Sequence, residues 1–398
     1  MFSRHLYLTQ DVQNCFIHCL LNSDKEHEDE LYFWFKELYD ETTDNAMWNL
    51  LYRIYYDFYA VTNPLYENYL YKIHKSSDKQ RAPGEKYLWK AIQSLKNLIT
   101  TDMVFKMRIM KVDRNYISKE SKQFKKLKNK MRLAIQTKNY HDIRYIIDCY
   151  KKPINLYRDI KKAFVMTNNG DLNNDIKLKK QEKLFEKYKY ENKKHACMAL
   201  VAYLICPPEY IWDNENNMFI SHPTRDLSLN DLEELDEIDE EEVMDDIVSE
   251  MQSLDVSCNN VMKDDIRNAT LYHVYPIINI LCEPGEKPIY EFGNGKWMYH
   301  AATSKYWKNA IQDMNGIVNH EAKTVTFKRL LDEVEFCANY DYDLEEVSSD
   351  IQNKLFGYDL AKTGDELSLL AWLNSINNML HLNSESVNKN IPNQCKYN

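Results

Sequence analysis

Apolar residues along this chain recur mostly at steps of three and four. In "TDNAMWNLLYRIYYDFYAVTNP" they fall at Met47, Leu50, Leu51, Ile54, Phe58 and Val61. That spacing predicts a helix capped by Thr43 or Asp44, with one apolar stripe and an end at Pro64. "RAPGEKYLWKAIQSLKNLIT" repeats the logic: Pro83 stands at the start, and Leu88, Ala91, Ile92, Leu95 and Ile99 share a face. The aromatic run "LYFWFKELY" has helical spacing too, and is read as core. Further on, Phe124, Leu127, Met131, Ala134 and Ile135 share one face, then Ile143, Ile146, Ile147 and Tyr150 another, around the turn "QTKNYHD". This predicts a helical hairpin like one unit of an α-solenoid, although no period recurs along the chain. After a polar loop at 166–175, a basic helix runs into an apolar one ending at Pro207.

Other stretches break the helical texture. Ser228 to Met251, "SLNDLEELDEIDEEEVMDDIVSEM", holds no positive charge, yet Leu229, Leu232, Leu235, Ile238, Met244, Ile247 and Met251 keep a near-helical spacing. A purely solvated acidic tail has no need of that pattern, so these seven residues form a candidate docking segment. "ATLYHVYPIINILCEP" is apolar and expected to be buried. In "KPIYEFGNGKWMYHA", Tyr290 and Phe292 precede Asn294-Gly295, and Trp297 and Tyr299 follow, which predicts a small β-hairpin near residues 288–300. Helices are expected again in "SKYWKNAIQDMNG", "FKRLLDEVEFCANYDYD" and "GDELSLLAWLNSINNMLHL". The predicted fold is mainly α: a multi-helix array or bundle with an acidic linker and one small hairpin. Its regions are 1–110, an N-terminal helical region; 111–222, a basic helical region; 223–262, the acidic linker; 263–386, a C-terminal helical region; and 387–398, a tail.

Composition agrees with helices. Eight glycines and ten prolines in 398 residues are too few for a chain of many tight turns. Nine cysteines, an odd number without framework spacing, and no apolar run near membrane-spanning length predict a soluble protein of a reducing compartment. An intracellular location is expected, cytoplasmic, nuclear or within a virion, with no membrane partner. The net charge of −10 hides two blocks. Residues 51–200 carry 34 Lys/Arg against 15 Asp/Glu, a net of +19, and residues 201–300 carry 5 against 22, a net of −17. Either the basic block meets an acidic partner, or the blocks neutralise each other.

"CFIHCLLNSDKEHEDELYFWFKELYDETTDNAMWNLLYRIYYDFYAVTNP" is similar to the helical C-terminal region of clamp-loader-related ATPases of the replication-restart (WHIP/MgsA) type, over about an eighth of the chain. The family's Ser-Glu-Asp-Ile-Gly stretch is replaced by "YYDFYA", and a Walker A loop is absent. The resemblance implies a helical assembly collar without ATPase activity. The texture, rich in Asn, Lys, Tyr and Ile, resembles proteins of large nucleocytoplasmic DNA viruses.

Local chemistry is sparse. Cys15, His18 and Cys19 lie near one helix face, but zinc needs four ligands and no second pair completes a set, so buried cysteines are the reading. "HED" (27–29) lacks the second histidine of a zinc-protease helix, and "GNGK" (293–296) lacks the spacing of a phosphate loop. "NYDYDLEE" (339–346) clusters carboxylates without the ligand order of an EF-hand. No catalytic residue, metal or cofactor is expected. Lys119, Lys122, Lys125, Lys126, Lys130 and Arg132 are candidate polyanion-binding residues, and DNA or RNA could bind through residues 119–132 and 177–194. The leading expectation is a non-enzymatic helical interaction or scaffold protein with protein partners, tied to viral assembly or replication. The alternative is a nucleic-acid-binding accessory factor autoinhibited by the acidic segment.

Overall fold

The structure is a computed structural model. It describes residues 2–22, 28–64, 66–79, 84–96, 98–112, 125–168, 192–205, 296–340, 369–377 and 379–382, with single positions at 272, 274, 275, 277, 280 and 281. The protein is mainly helical, and among the described residues there are two very small sheets. In chain order the elements are α1 (Thr9–Leu21), α2 (Glu28–Glu41), α3 (Asp44–Ile54), a π-helical turn (Tyr55–Tyr59), α4 (Tyr66–Lys79), α5 (Gly84–Lys96), β1 (Thr100–Thr101) and α6 (Met103–Ile109). Then come α7 (Leu127–Gln136), α8 (Tyr140–Cys149), α9 (Pro153–Asn168) and α10 (Lys193–Ile205). The C-terminal part holds α11 (Lys296–Ala301), α12 (Lys305–Asp313), β2 (Gly316–Asn319), β3 (Thr324–Phe327), α13 (Leu330–Tyr340), α14 (Leu369–Ser375) and β4 (Met379–Leu380). Among the described residues no helix is long and apolar enough to cross a membrane.

The chain divides into two compact units. One comprises Met1–Met47, Met244–Ser375 and Gln394–Asn398; the other comprises Trp48–Val243 and Ile376–Asn393.

In the first unit α1 packs on α2, and α2 on α12. The aromatic run of α2 is core: Leu31, Tyr32, Phe33, Trp34 and Phe35 are all buried. Val274, Ile277, Ile280 and Leu281 are buried as well. Several polar groups drawn into this core are matched. Asn14 accepts from the Ile280 amide at 3.0 Å, and Trp307 donates to the Arg4 carbonyl at 2.8 Å. Glu37 holds the side chain of His5. Burial alone would push the Glu37 carboxyl up, but the His5 charge and hydrogen bonds outweigh it and hold the group below its ordinary value. The N-terminus of α12 is capped by Ser304, which accepts from the Trp307 amide at 3.1 Å, and by the Glu41 carboxylate on the Lys305 amide.

The antiparallel hairpin of this unit is β2–β3, in the register Gly316↔Phe327 to Asn319↔Thr324. Its turn is made by the Asn319 side chain, which accepts from the amides of Glu321 and Ala322 at 3.0 Å each. Gly316 is needed at its entry, because a Cβ there would stand 2.5 Å from Ile311 Cγ2 and 2.8 Å from the Ile311 carbonyl oxygen. The hairpin expected near residues 288–300 is corrected in position. Lys296–Ala301 is helix, and Trp297 turns its ring onto Trp307 and Phe336, with centroids 5.8 and 6.5 Å away. Trp297 and Ala301, four apart, are both buried there, and that packing outweighs the two-residue alternation of Trp297 and Tyr299. Residues 288–295 lie outside the described residues.

In the second unit the stripes predicted on α3 and α5 are buried at Leu51, Ile54, Phe58, Leu88, Ala91, Ile92 and Leu95. At Tyr55 the helix widens: the Ala60 amide donates to the Tyr55 carbonyl, five residues back, at 2.8 Å. All five side chains of the turn are buried. β1 pairs in parallel with β4, Thr100 opposite Met379 and Thr101 opposite Leu380. The helix expected through "NMLHL" therefore stops at Ser375. Asp102 secures the following strand, accepting from the Leu382 amide at 2.7 Å and contacting His381 Nδ1 at 2.9 Å. Lys106 Nζ closes the group, 2.8 Å from Asp102 and 3.2 Å from the Leu382 carbonyl oxygen.

Candidate nucleic-acid interface

α7 packs on both α8 and α9 within the second unit. Met131, Ala134 and Ile135 of α7, Ile143, Ile146 and Ile147 of α8, and Leu156, Tyr157 and Ile160 of α9 are buried. Three faces at helical spacing thus meet in one small core, as the pattern predicted for α7 and α8. The α7–α8 turn needs Lys138 at φ 48°, and Asn139 caps α8 by accepting from the Asp142 amide at 3.0 Å. Pro153 opens α9, where its missing N–H costs nothing.

With the apolar residues turned inward, the charged ones face water. Lys125, Lys126 and Lys128 are exposed, while Lys130 and Arg132 are half-buried on the flanks of α7. Lys119 and Lys122 lie outside the described residues. The trio adds cations that the sequence reading did not include: Lys138, Lys151, Lys152, Arg158 and Lys162 are exposed. Residues 125–163 hold twelve Lys/Arg and three Asp/Glu, a net of +9. Those three acids neutralise little of the surface. Asp142 is buried, Asp148 pairs with Arg144 one turn away, and Asp159 accepts from the Tyr150 hydroxyl at 2.8 Å. Among the described residues Lys125, Lys126, Lys128, Lys151, Lys152 and Lys162 make no salt bridge. Of the second basic stretch, 177–194, only the last three residues are described, and Lys194 Nζ donates to the Asp148 carbonyl at the end of α8, at 3.0 Å. The docking residues Leu229, Leu232, Leu235, Ile238, Met244, Ile247 and Met251 lie outside the described residues.

A second polar cluster had no local signature, because its members are distant in sequence. Asp57, on the π-helical turn, is gripped by Arg108, whose Nε lies 2.9 Å from each carboxylate oxygen. His195 Nε2 stands 2.7 Å from Asp57 Oδ1. Burial would raise the Asp57 carboxyl, but Arg108 and His195 together hold it well below the usual carboxylate range. His195 itself is pulled down, by burial first, with Asp57 opposing. Nearby, Glu67 accepts from the Tyr56 hydroxyl at 2.8 Å. Burial pushes its carboxyl up to about 7, and the Tyr56 hydrogen bond offsets only part. Tyr55, Tyr56, Glu67, Tyr157, Leu200 and Tyr203 line a cavity of about 20 Å³. That is space for one water molecule and none for a substrate.

Cys15 and Cys19 are buried, as read. Cys15 Sγ accepts from the Tyr275 amide at 3.4 Å, and His18 meets Trp372 Nε1 at 3.0 Å and Asn22 Nδ2 at 2.9 Å. Burial, with Glu30 adding to it, raises the Cys19 thiol, which leaves it unreactive. Among the described residues no group of three or more His, Cys, Asp or Glu side chains could hold a metal ion. Comparison with protein families, curated proteins and solved structures finds no match in any of the three.

Proposed function

We propose that this chain is a non-enzymatic, α-helical interaction protein that binds nucleic acid by its phosphate backbone through the surface of α7–α9. The observation that carries this is the set of exposed lysines on α7 and α9 and at the ends and turns beside them, in a region whose few acids are already occupied. Cations held by a rigid scaffold and left without counter-charge gain from releasing the counterions condensed on a polyanion. Among the described residues no base-reading feature accompanies them, so the binding is expected to be indifferent to sequence.

Anisotropy of a labelled single strand, titrated with the full chain at increasing salt, tests the reading. With about six phosphate contacts on a single strand, affinity should fall roughly three-hundredfold between 50 and 200 mM salt. Replacing Lys125, Lys126 and Lys128 with Glu should weaken binding by about a hundredfold or more and flatten the log–log salt slope by about 2–3. The melting temperature should hardly move, since exposed substitutions stay within about 0.5 kcal/mol. Unchanged affinity and slope would remove this surface from consideration.

The acidic run bears on the same surface. We read residues 228–251 as a plug that competes with polyanions for the basic block, on the strength of charge and apolar spacing alone. Deleting them should raise low-salt affinity for the strand about tenfold or more, through loss of a complementary charge. If affinity stays the same, the run is a linker or a docking peptide for another protein.

A further inference from the structure

α13 is turned inside out. It rests on its own unit through Asp332 and Phe336, both buried, with Phe336 beside Phe327, Tyr340 and Trp307 at ring distances of 5.2, 4.9 and 6.3 Å. Asp332 is gripped by Arg329 across the first turn. On the opposite side stand Leu330, 77% exposed, Leu331, 57%, and Val334, 55%. Cys337 and Ala338 are exposed as well. Positions i, i+1, i+4, i+7 and i+8 form one stripe, so an apolar face looks outward where a surface helix ordinarily presents charge. A continuous apolar stripe in water marks a contact surface.

The charges around it select the occupant. α13 carries Asp332, Glu333 and Glu335 and no Lys or Arg. Glu333 and Glu335 are exposed, one on each edge of the stripe. The nearby Arg329 is committed to Asp332. A second copy packed antiparallel about Val334 would set Glu333 against Glu333 and Glu335 against Glu335, and a parallel pair would set Glu333 against Glu335. Like charges along both edges oppose either arrangement. We infer that α13 is a docking site for an amphipathic helix of a partner protein whose apolar stripe is edged by Lys or Arg. Such a helix covers Leu330, Leu331 and Val334 while both glutamates gain partners. α13 belongs to the first unit and α7–α9 to the second, and the test below is read without nucleic acid.

Two labelled helical peptides with the same leucine stripe, one edged by Lys/Arg and the other by Glu, test it on the full chain. The basic-edged peptide should bind with at least tenfold higher affinity than the acidic-edged one. Leu331→Asp with Val334→Asp should weaken its binding tenfold or more at unchanged melting temperature, because both positions are exposed. Glu333→Lys with Glu335→Lys should invert the preference. Equal binding of the two peptides, binding by neither, or binding that survives the Asp substitutions would overturn the inference. So would a concentration-dependent dimer in light scattering that those substitutions abolish, since the occupant would then be a second copy.

Discussion

Asp57→Ala is expected to cost roughly 3–5 kcal/mol of stability, the range for breaking a buried ion pair from one side. Asp57 and His195 are each 1% exposed, and Asp57 is the counter-charge of Arg108 and the hydrogen-bond partner of His195. Removing it takes from the Arg108 guanidinium, whose side chain is 12% exposed, and from the buried His195 ring the carboxylate they share. The melting temperature should drop by about 10 °C, as scaled for a domain of this size. Replacing Asp57 with Leu and Arg108 with Met together should recover much of the loss, because the cost comes from the orphaned charge rather than from the absent attraction. Denaturant titration of the single and double variants checks both statements. A loss under about 1 kcal/mol for Asp57→Ala would mean that the cluster does not organise the unit. The sign with pH follows from the depressed Asp57 carboxyl. Its contribution is present above the ordinary value of 3.8 and is lost as pH falls toward the lower folded value.

Glu67→Gln should have the opposite character. In the folded protein the Glu67 carboxyl titrates at about 7, against an ordinary 4.5, because burial disfavours its charge. The folded state therefore holds this proton more tightly than the unfolded chain does. Its contribution is full below 4.5 and is lost as pH rises through about 7. The difference across that window amounts to roughly 3 kcal/mol. Glutamine imitates the protonated group and can still accept from Tyr56. The variant should match the parent near pH 4.5 and exceed its stability by about 3 kcal/mol at pH 8. His195 titrates in the reverse sense. Its lowered value makes the neutral ring stabilising above the ordinary 6.5, and that contribution is lost at lower pH. It is common to both proteins and cancels in their difference. A difference that stays constant from pH 4.5 to 8 would show that Glu67 does not titrate there.

Steps of three and four were enough to find the helices whose apolar stripes lie within one turn of each other. Leu51, Ile54 and Phe58, Leu88 to Leu95, and Ile143 to Ile147 are buried where the period put them. The aromatic residues of α2 are core, and the lysines of α7 lie off its stripe, because both statements depend only on position around one helix. The small hairpin was legible as a kind of element and misplaced along the chain. Asn294-Gly295 is a strong turn signal, whereas the turn at 320–323 depends on the side chain of Asn319 and on the close approach of Gly316 to Ile311.

What the amino-acid sequence determined by itself, then, is local: helix against strand, the buried side of each helix, and the separation of basic and acidic blocks. The tertiary structure alone decided which distant segments meet. Asp57 reaches Arg108 and His195, β1 pairs with β4, and the first 47 residues join 244–375 in one unit. It also decided that α13 turns Asp332 and Phe336 inward and leaves Leu330, Leu331 and Val334 outside. Both faces of that helix carry hydrophobic residues, so periodicity alone does not rank them. The choice falls to the aromatic rings of Phe327, Tyr340, Trp307 and Trp297, which offer Phe336 a larger apolar surface than water leaves the leucines.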